Sequence, residues 1–131
     1  MRYLLDANVI IGLLNDAGSK LAQRARRERP ADIAISAIVA HELFYGAFKS
    51  GRATHNVALV DSLQLAVLEF DKEDARQAGE IRAALASRGT PIGPYDVLIA
   101  GQAKARNLTL VTHNTDEFGR VRGLRLEDWQ D

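Results

Sequence analysis

The 131-residue sequence sets 17 basic against 17 acidic residues, is 47% hydrophobic and contains no cysteine. A chain of this length suits one domain, 1–131, with one core, and its cancelled charge excludes a surface that grips polyanions everywhere while leaving room for a local basic patch. Lack of cysteine excludes a disulfide framework and thiolate metal sites, and His41, His55 and His113 show no ligand spacing, so any metal must be held mainly by oxygen.

In chain order, "RYLLD" at 2–6 reads as a short strand closed by Asp6, and "ANVIIGLLND" follows with Val9, Ile10, Leu13 and Leu14 at helical spacing. Asp6 also interrupts the first apolar run before it can form a leader, and no run approaches the roughly 20 residues that span a bilayer, which predicts a cytoplasmic, membrane-free protein. "SKLAQRARRERP" is a basic helix, with Ser19 as N-cap, Pro30 as stop, Leu21, Ala22 and Ala25 inward, and Lys20, Arg24 and Arg27 outward. "DIAIS" at 32–36 is a second strand, and Ser36 caps the helix "AIVAHELFYGAFKSG". Another helix covers "RATHNVALVDSLQ", "LAVLEF" at 65–70 is the third strand, and "DKEDARQAGEIRAALASRG" is helical with Ala75, Ala78, Ile81 and Leu85 inward and Gly89 at its end. The segment "TPIGPYDVLIAGQAKARN" at 90–107 is a packed helix, "LTLVT" at 108–112 a fourth strand, "HNTDEF" a polar turn and "LRL" a last short apolar stretch. Short apolar strands alternating with helices predict an α/β fold with a parallel sheet covered on both faces, in which ligands gather beyond the carboxyl ends of the strands.

Several carboxylates fall where that rule directs attention. Asp6 closes the first strand, where it either caps the next helix or meets a cation. Glu42 has Ile38, Val39 and Tyr45 as its helical neighbours, so it lies beside the apolar stripe rather than on the wet face. Asp96 opens an apolar helix, where it either complements the helix dipole or does chemistry. Asn114, Asp116 and Glu117 stand in the turn after the fourth strand, and spacing does not say which of them points inward. Carboxylates converging on one rim repel one another unless a divalent cation is present, and Mg²⁺ or Mn²⁺ suits an oxygen-only donor set. Such a site activates water and clamps a phosphodiester.

The stretches "LLDANVII", "SAIVAHELFYGA", "GTPIGPYDVLIAGQAKARNLTLVTHNTDEF" and "RVRGLRLEDW" together resemble PIN-domain ribonucleases, and more narrowly the VapC toxins of bacterial toxin–antitoxin pairs, over essentially the whole chain. The resemblance implies a three-layer α/β/α domain with a central parallel sheet of four to five strands and a Mg²⁺- or Mn²⁺-dependent endoribonuclease site. Carried over by position, Asp6, Glu42 and Asp96 form the acidic triad, with Asp6 and Asp96 on the metal and Glu42 on a second metal or on the attacking water. Asp116 and Glu117 compete for a fourth acidic place beside Asn114, and Asn8 and Thr112 take supporting polar positions near the metal-bound water. The resemblance further implies a homodimer, a VapB-like antitoxin that carries the DNA contacts of the complex, and an RNA substrate, initiator transfer RNA cut in its anticodon stem-loop. Arg24, Arg26, Arg27 and Arg29, with Arg120, Arg122 and Arg125, are available to the RNA backbone.

Two other phosphoryl-transfer folds fit less well. A haloacid-dehalogenase-type phosphatase needs a second Asp where Asn8 stands, and a receiver domain needs a lysine near the end of the chain, which has none. The remaining alternative is a non-catalytic RNA- or antitoxin-binding module whose acids serve only as helix caps. Spare aromatic area on the "LFYGAF" helix, at Leu43, Phe44, Tyr45 and Phe48, predicts an antitoxin or dimer surface.

Overall fold

In the computed structural model, which describes residues 1–130, five short strands form one sheet: β1 (Tyr3–Leu5), β2 (Ile33–Ser36), β3 (Ala66–Leu68), β4 (Thr109–Val111) and β5 (Leu126–Glu127). Every pairing is parallel, and the strands lie in the order β3-β2-β1-β4-β5. Tyr3 stands opposite Ile33 on one side and Thr109 on the other, which makes β1 the central strand. That place explains its unbroken apolar run, since a central parallel strand is covered on both faces and has no wet side to alternate with. β3, at one edge, leaves Val67 exposed.

The helices are α1 (Ala7–Asn15), α2 (Lys20–Arg26), α3 (Ala37–Lys49), α4 (Ala53–Asp61), α5 (Lys72–Ser87), α6 (Pro94–Ala105) and α7 (Thr115–Phe118), which complete the α/β/α layering. Polar caps set their starts. Asp6 accepts from the Val9 amide, Ser19 from that of Ala22, and Ser36 from that of Ile38, each satisfying a donor the first turn leaves unpaired. Asp71 and Asp74 form a reciprocal capping box at the head of α5. At its other end Gly89 takes φ +68°, a conformation that favours glycine and turns the chain out of the helix. Leu4, Leu5, Ile10, Val39, Ile99, Leu110, Val111 and Phe118 are fully buried between the layers.

α5 and α6 touch at backbone distance. A Cβ on Gly101 would stand 2.5 Å from the Ala78 nitrogen, so these helices pack this closely only because residue 101 has no side chain. Buried Gln102 ties the same pair of helices to the sheet edge, donating to the Glu69 carbonyl at 3.0 Å and to Asp74 at 3.2 Å.

The sequence expectations need four corrections. Ala75 is exposed, since only Asp74, Ala78, Ile81 and Leu85 of α5 turn inward. The polar turn after β4 winds into the single-turn helix α7, drawn in by the burial of Phe118. The last strand falls on Leu126–Glu127 rather than on 124–126, because β4 pairs Leu110 with Leu126 and Val111 with Glu127. On α3, Leu43 is buried and Phe44 half-buried, while Tyr45 and Phe48 are exposed, so only part of the aromatic stretch is free surface.

This strand order contains a switch point. The chain leaves β1 to build β2 and β3 on one flank, then crosses back to lay β4 and β5 on the other. The carboxyl ends of β1 and β4 therefore lie side by side where the connections diverge, which is the place such sheets open a crevice. Asp6 directly follows β1, Thr112 directly follows β4, and the Asp6 amide donates to the Val111 carbonyl at 3.2 Å.

Candidate functional site

The crevice is walled by carboxylates from separate elements. Asp6, 7% exposed, caps α1 and also accepts from the Thr112 hydroxyl. Glu42 lies in the middle of α3, half-buried, and its Oε1 is buried without a hydrogen-bond partner. Asp96 lies in the first turn of α6, also half-buried, but no side chain caps that helix. Asp96 instead turns back over Gly93, where a Cβ would come within 2.9 Å of its Oδ2. The explanation of these acids as helix caps therefore fits Asp6 alone.

All three carboxyls titrate above the usual carboxylate range. Burial is the largest cause for each, and repulsion adds to it: Asp96 and Asp6 push Glu42 up, while Glu117 and Asp6 push Asp96 up. For Asp6, bonds from Thr112 and Val9 and the nearby His113 partly offset burial, and Asp128 works in the opposite sense. Neither lysine nor arginine is among these influences. None of the ion pairs among the described residues includes any of the three acids. Uncompensated buried charge of this kind is costly, and acids so arranged cluster at functional sites.

Among the described residues no three His, Asp or Glu side chains form a ready-made cage for a metal ion. The donor set nevertheless fits a hard divalent cation. It is all oxygen, it includes an orphaned buried oxygen on Glu42, and its charges repel with no lysine or arginine to relieve them, His41 and His113 offsetting only part of the effect on Glu42 and Asp6. Mg²⁺ in particular uses one or two carboxylates together with water and phosphate rather than a complete protein cage.

The fourth position is ordered by charge. Glu117 is half-buried, acts on Asp96 and is held by the Asn114 side-chain amide, whereas Asp116 is exposed and acts on none of the three. Thr112 is fully buried, and its Oγ1 also accepts from the Asn114 amide at 3.0 Å. Asn8 is exposed in the first turn of α1.

The arginines are dispersed. Arg24 is half-buried, with its guanidinium 4.6 Å from the Trp129 ring centroid and paired to Glu28 and Glu127. Arg27 lines a cleft of about 440 Å³ with Lys20, Gln23 and Trp129. Arg26 donates to the Ala17 carbonyl and Arg29 pairs with Asp32. Arg120 donates to the Pro91 carbonyl at 3.1 Å, which pins the α7 exit to the loop before α6, and Arg122 lies on a groove beside α5. Arg125 donates to the Asn107 carbonyl.

Two features of this rim escaped the sequence reading. His113 is exposed with Nδ1 2.9 Å from Asp128 Oδ2, and both act on Asp6. The carboxyl-end rule applied to the last strand would have led to Asp128, which directly follows β5. The other feature is an edge-to-face contact between His41 and Tyr95, the residues that precede Glu42 and Asp96. No spacing rule links them.

Known proteins share this fold and are similar in sequence. The PIN domain profile matches residues 3–124. The tRNA(fMet)-specific endonuclease VapC of Shigella flexneri is 39% identical over 131 residues, 98% of each chain. The crystal structure of DNA-bound VapBC from Salmonella typhimurium superimposes with a TM-score of 0.93 at 40% identity over 98% of each chain. That of VapBC2 from Rickettsia felis bound to a DNA fragment from its promoter gives 0.90 at 36% identity, over 98% of this chain and 99% of that one. With profile, relatives and strand order in agreement over nearly all its length, the chain belongs to the PIN-domain family, in its VapC branch of ribonucleases.

Proposed function

We propose that residues 1–131 form one ribonuclease domain that acts as the toxin of a VapBC-type pair and hydrolyses RNA phosphodiester bonds with Mg²⁺ or Mn²⁺. The observation that carries this reading is the convergence of Asp6, Glu42 and Asp96, each titrating high, at the switch point of a parallel sheet without a lysine or arginine to balance them. Asp6 and Asp96 hold the metal, Glu42 holds a second ion or the attacking water, and Glu117 takes the fourth acidic place in preference to Asp116. A divalent cation held by these residues would offset their mutual repulsion and supply Lewis-acid polarisation of the phosphate.

The protein's own groups do the rest. The half-buried Glu42 carboxylate, whose Oε1 has no partner inside the protein, accepts a proton from the attacking water. Thr112 fixes the Asp6 carboxylate through its hydroxyl, and Asn114 does so for Glu117. Arg27 and Arg122, with Arg24 and Arg120 closer to the fold, offer the RNA backbone positive charge. The substrate we assign is initiator transfer RNA, after the activity named for the Shigella relative.

The antitoxin seat is the groove of about 340 Å³ that Ile11, Leu14, Leu43, Ala47 and Leu59 line together with Glu42. A segment lying there covers apolar surface and reaches the active site at once, which supports a VapB-like partner that silences the enzyme by occupancy. The toxin acts as a homodimer in the cytoplasm and meets DNA only through that partner. No helix among the described residues is long and apolar enough to cross a membrane.

Purified protein incubated with initiator transfer RNA and Mg²⁺ should give discrete fragments that EDTA prevents and added Mn²⁺ restores. Metal-independent binding without cleavage would instead favour the non-catalytic module.

A further inference from the structure

Tyr95 and His41 come from different helices, α6 and α3, and each immediately precedes a carboxylate of the site, Asp96 and Glu42. Their ring centroids lie 5.3 Å apart with the planes at 61°. Tyr95 leaves 47% of its surface in water, and His41 is exposed as well. Core packing does not account for a tyrosine so open. The edge-on contact fixes the orientation of the rings while leaving aromatic face available, since each ring is touched at an angle rather than covered.

Successive residues on a helix point about 100° apart, so each ring stands beside its neighbouring carboxylate rather than over it. That offset is the one between a phosphate and its base. A phosphodiester approaching Asp96 and Glu42 turns its base away from the negative cluster, and this pair offers an exposed aromatic surface directly beside it. His41 directly precedes Glu42 on α3, and its contact with Tyr95 bridges the two helices that carry Glu42 and Asp96, which places the rings beside the site.

We propose that His41 and Tyr95 form a stacking platform for one unpaired base flanking the scissile phosphate. This rests on the ribonuclease reading and goes beyond it by assigning the surface that selects splayed, single-stranded RNA over a helix. Proteins that read RNA loops stack unpaired bases on aromatic side chains, and loss of one such stack weakens binding roughly 5- to 150-fold.

The test uses RNA hairpins with the initiator anticodon loop, each carrying 2-aminopurine at one loop position, bound to the Asp6→Asn chain so that the RNA is not cut. One position should lose fluorescence on binding. Adding Tyr95→Ala should abolish that quench and weaken binding at least about tenfold, Tyr95→Phe should preserve both, and His41→Ala should give a partial loss. Both positions are exposed, so thermal melts of the variants should match the parent. Quenching that survives Tyr95→Ala, or the absence of any quenched position while the wild-type chain still cuts RNA, overturns the platform and leaves the nuclease standing. Weaker antitoxin binding by Tyr95→Ala with the quench intact would assign the pair to the protein partner instead. Failure of the wild-type chain to cut RNA with Mg²⁺ would remove the ribonuclease reading and the platform with it.

Discussion

Asp74 and Asp96 hold the same place in successive helices, the third residue of α5 and the third of α6, yet the protein treats them in opposite ways. Asp74 is 1% exposed and fully engaged. It closes a capping box with Asp71, accepts from Gln102 and forms an ion pair with Arg106 at 3.0 Å. Burial pushes it up, but the bonds from Arg106, Asp71 and Gln102 outweigh burial and hold it below the usual range. Asp96 has a glycine for an N-cap, no capping bond, and the acids Glu117, Asp6 and Glu42 for company, so burial and repulsion both push it up. Asp74 holds the fold together, whereas Asp96 is left without a partner that would do the same; by the function proposed above, its partner comes from outside. A position at a helix start does not separate the two roles, whereas the partners supplied by the rest of the chain do.

The widest separation between them should come from neutral substitutions. Asp96→Asn should lower cleavage roughly a hundred- to a thousandfold, the scale of losing one group that stabilises a transition state. The metal-free protein should melt at an equal or higher temperature, because repulsion is removed. Asp74→Ala should do the reverse, costing roughly 3 kcal/mol by stranding Arg106 and Gln102, at the low end for a broken buried pair because Arg106 is partly solvated. Cleavage per folded molecule should be unchanged. Chemical denaturation and single-turnover cleavage on both variants measure the contrast, and loss of stability in Asp96→Asn would erase it.

A subtler change acts on Asp96 without touching it. Gly93→Ala places a methyl group where the Asp96 carboxylate now folds back, 2.9 Å from Oδ2, and that short side chain must rotate away. The fold should tolerate this, while cleavage should fall roughly ten- to a hundredfold, as expected for a misplaced reacting group. Equal losses of stability and activity would mean that Gly93 serves the backbone instead.

Acidity should separate the two regions more gently. Asp74, held low, contributes stability that is present above its unfolded pKa of about 4 and is lost as pH falls through its folded value. Asp6, Glu42 and Asp96, held high, favour folding most below about pH 4, and that advantage disappears as pH rises through their folded values. Melting temperatures in EDTA should therefore drop toward acid through Asp74 and also sag toward neutrality through the cluster. Mg²⁺ should lift only the neutral side, and Asp96→Asn should flatten it.

Much of the fold was legible because local chemistry announces it. Ser19 and Ser36 mark helix starts, Gly89 marks an end, and the short runs at 3–5, 33–36, 66–68 and 109–111 all lie in the one parallel sheet. Asp6, Glu42 and Asp96 could be picked out because each sits beside apolar residues where water is scarce. What spacing could not supply was the tertiary partner. Arg24 looks outward on a helical wheel, yet Trp129, more than a hundred residues later, lies against it. The ranking of Glu117 over Asp116 depends on how α7 winds, and that follows from the burial of Phe118.

The place of β4 in the sheet bears on how such a protein can be made at all. Asp6 and Glu42 are translated early, but the Val111 carbonyl that receives the Asp6 amide, and the Thr112 hydroxyl on its carboxylate, belong to a strand that inserts beside β1 only after most of the chain has left the ribosome. Until then β1 has one bare edge and its acid lacks both companions. The crevice is thus complete only when a late-synthesised strand has docked against the first one made.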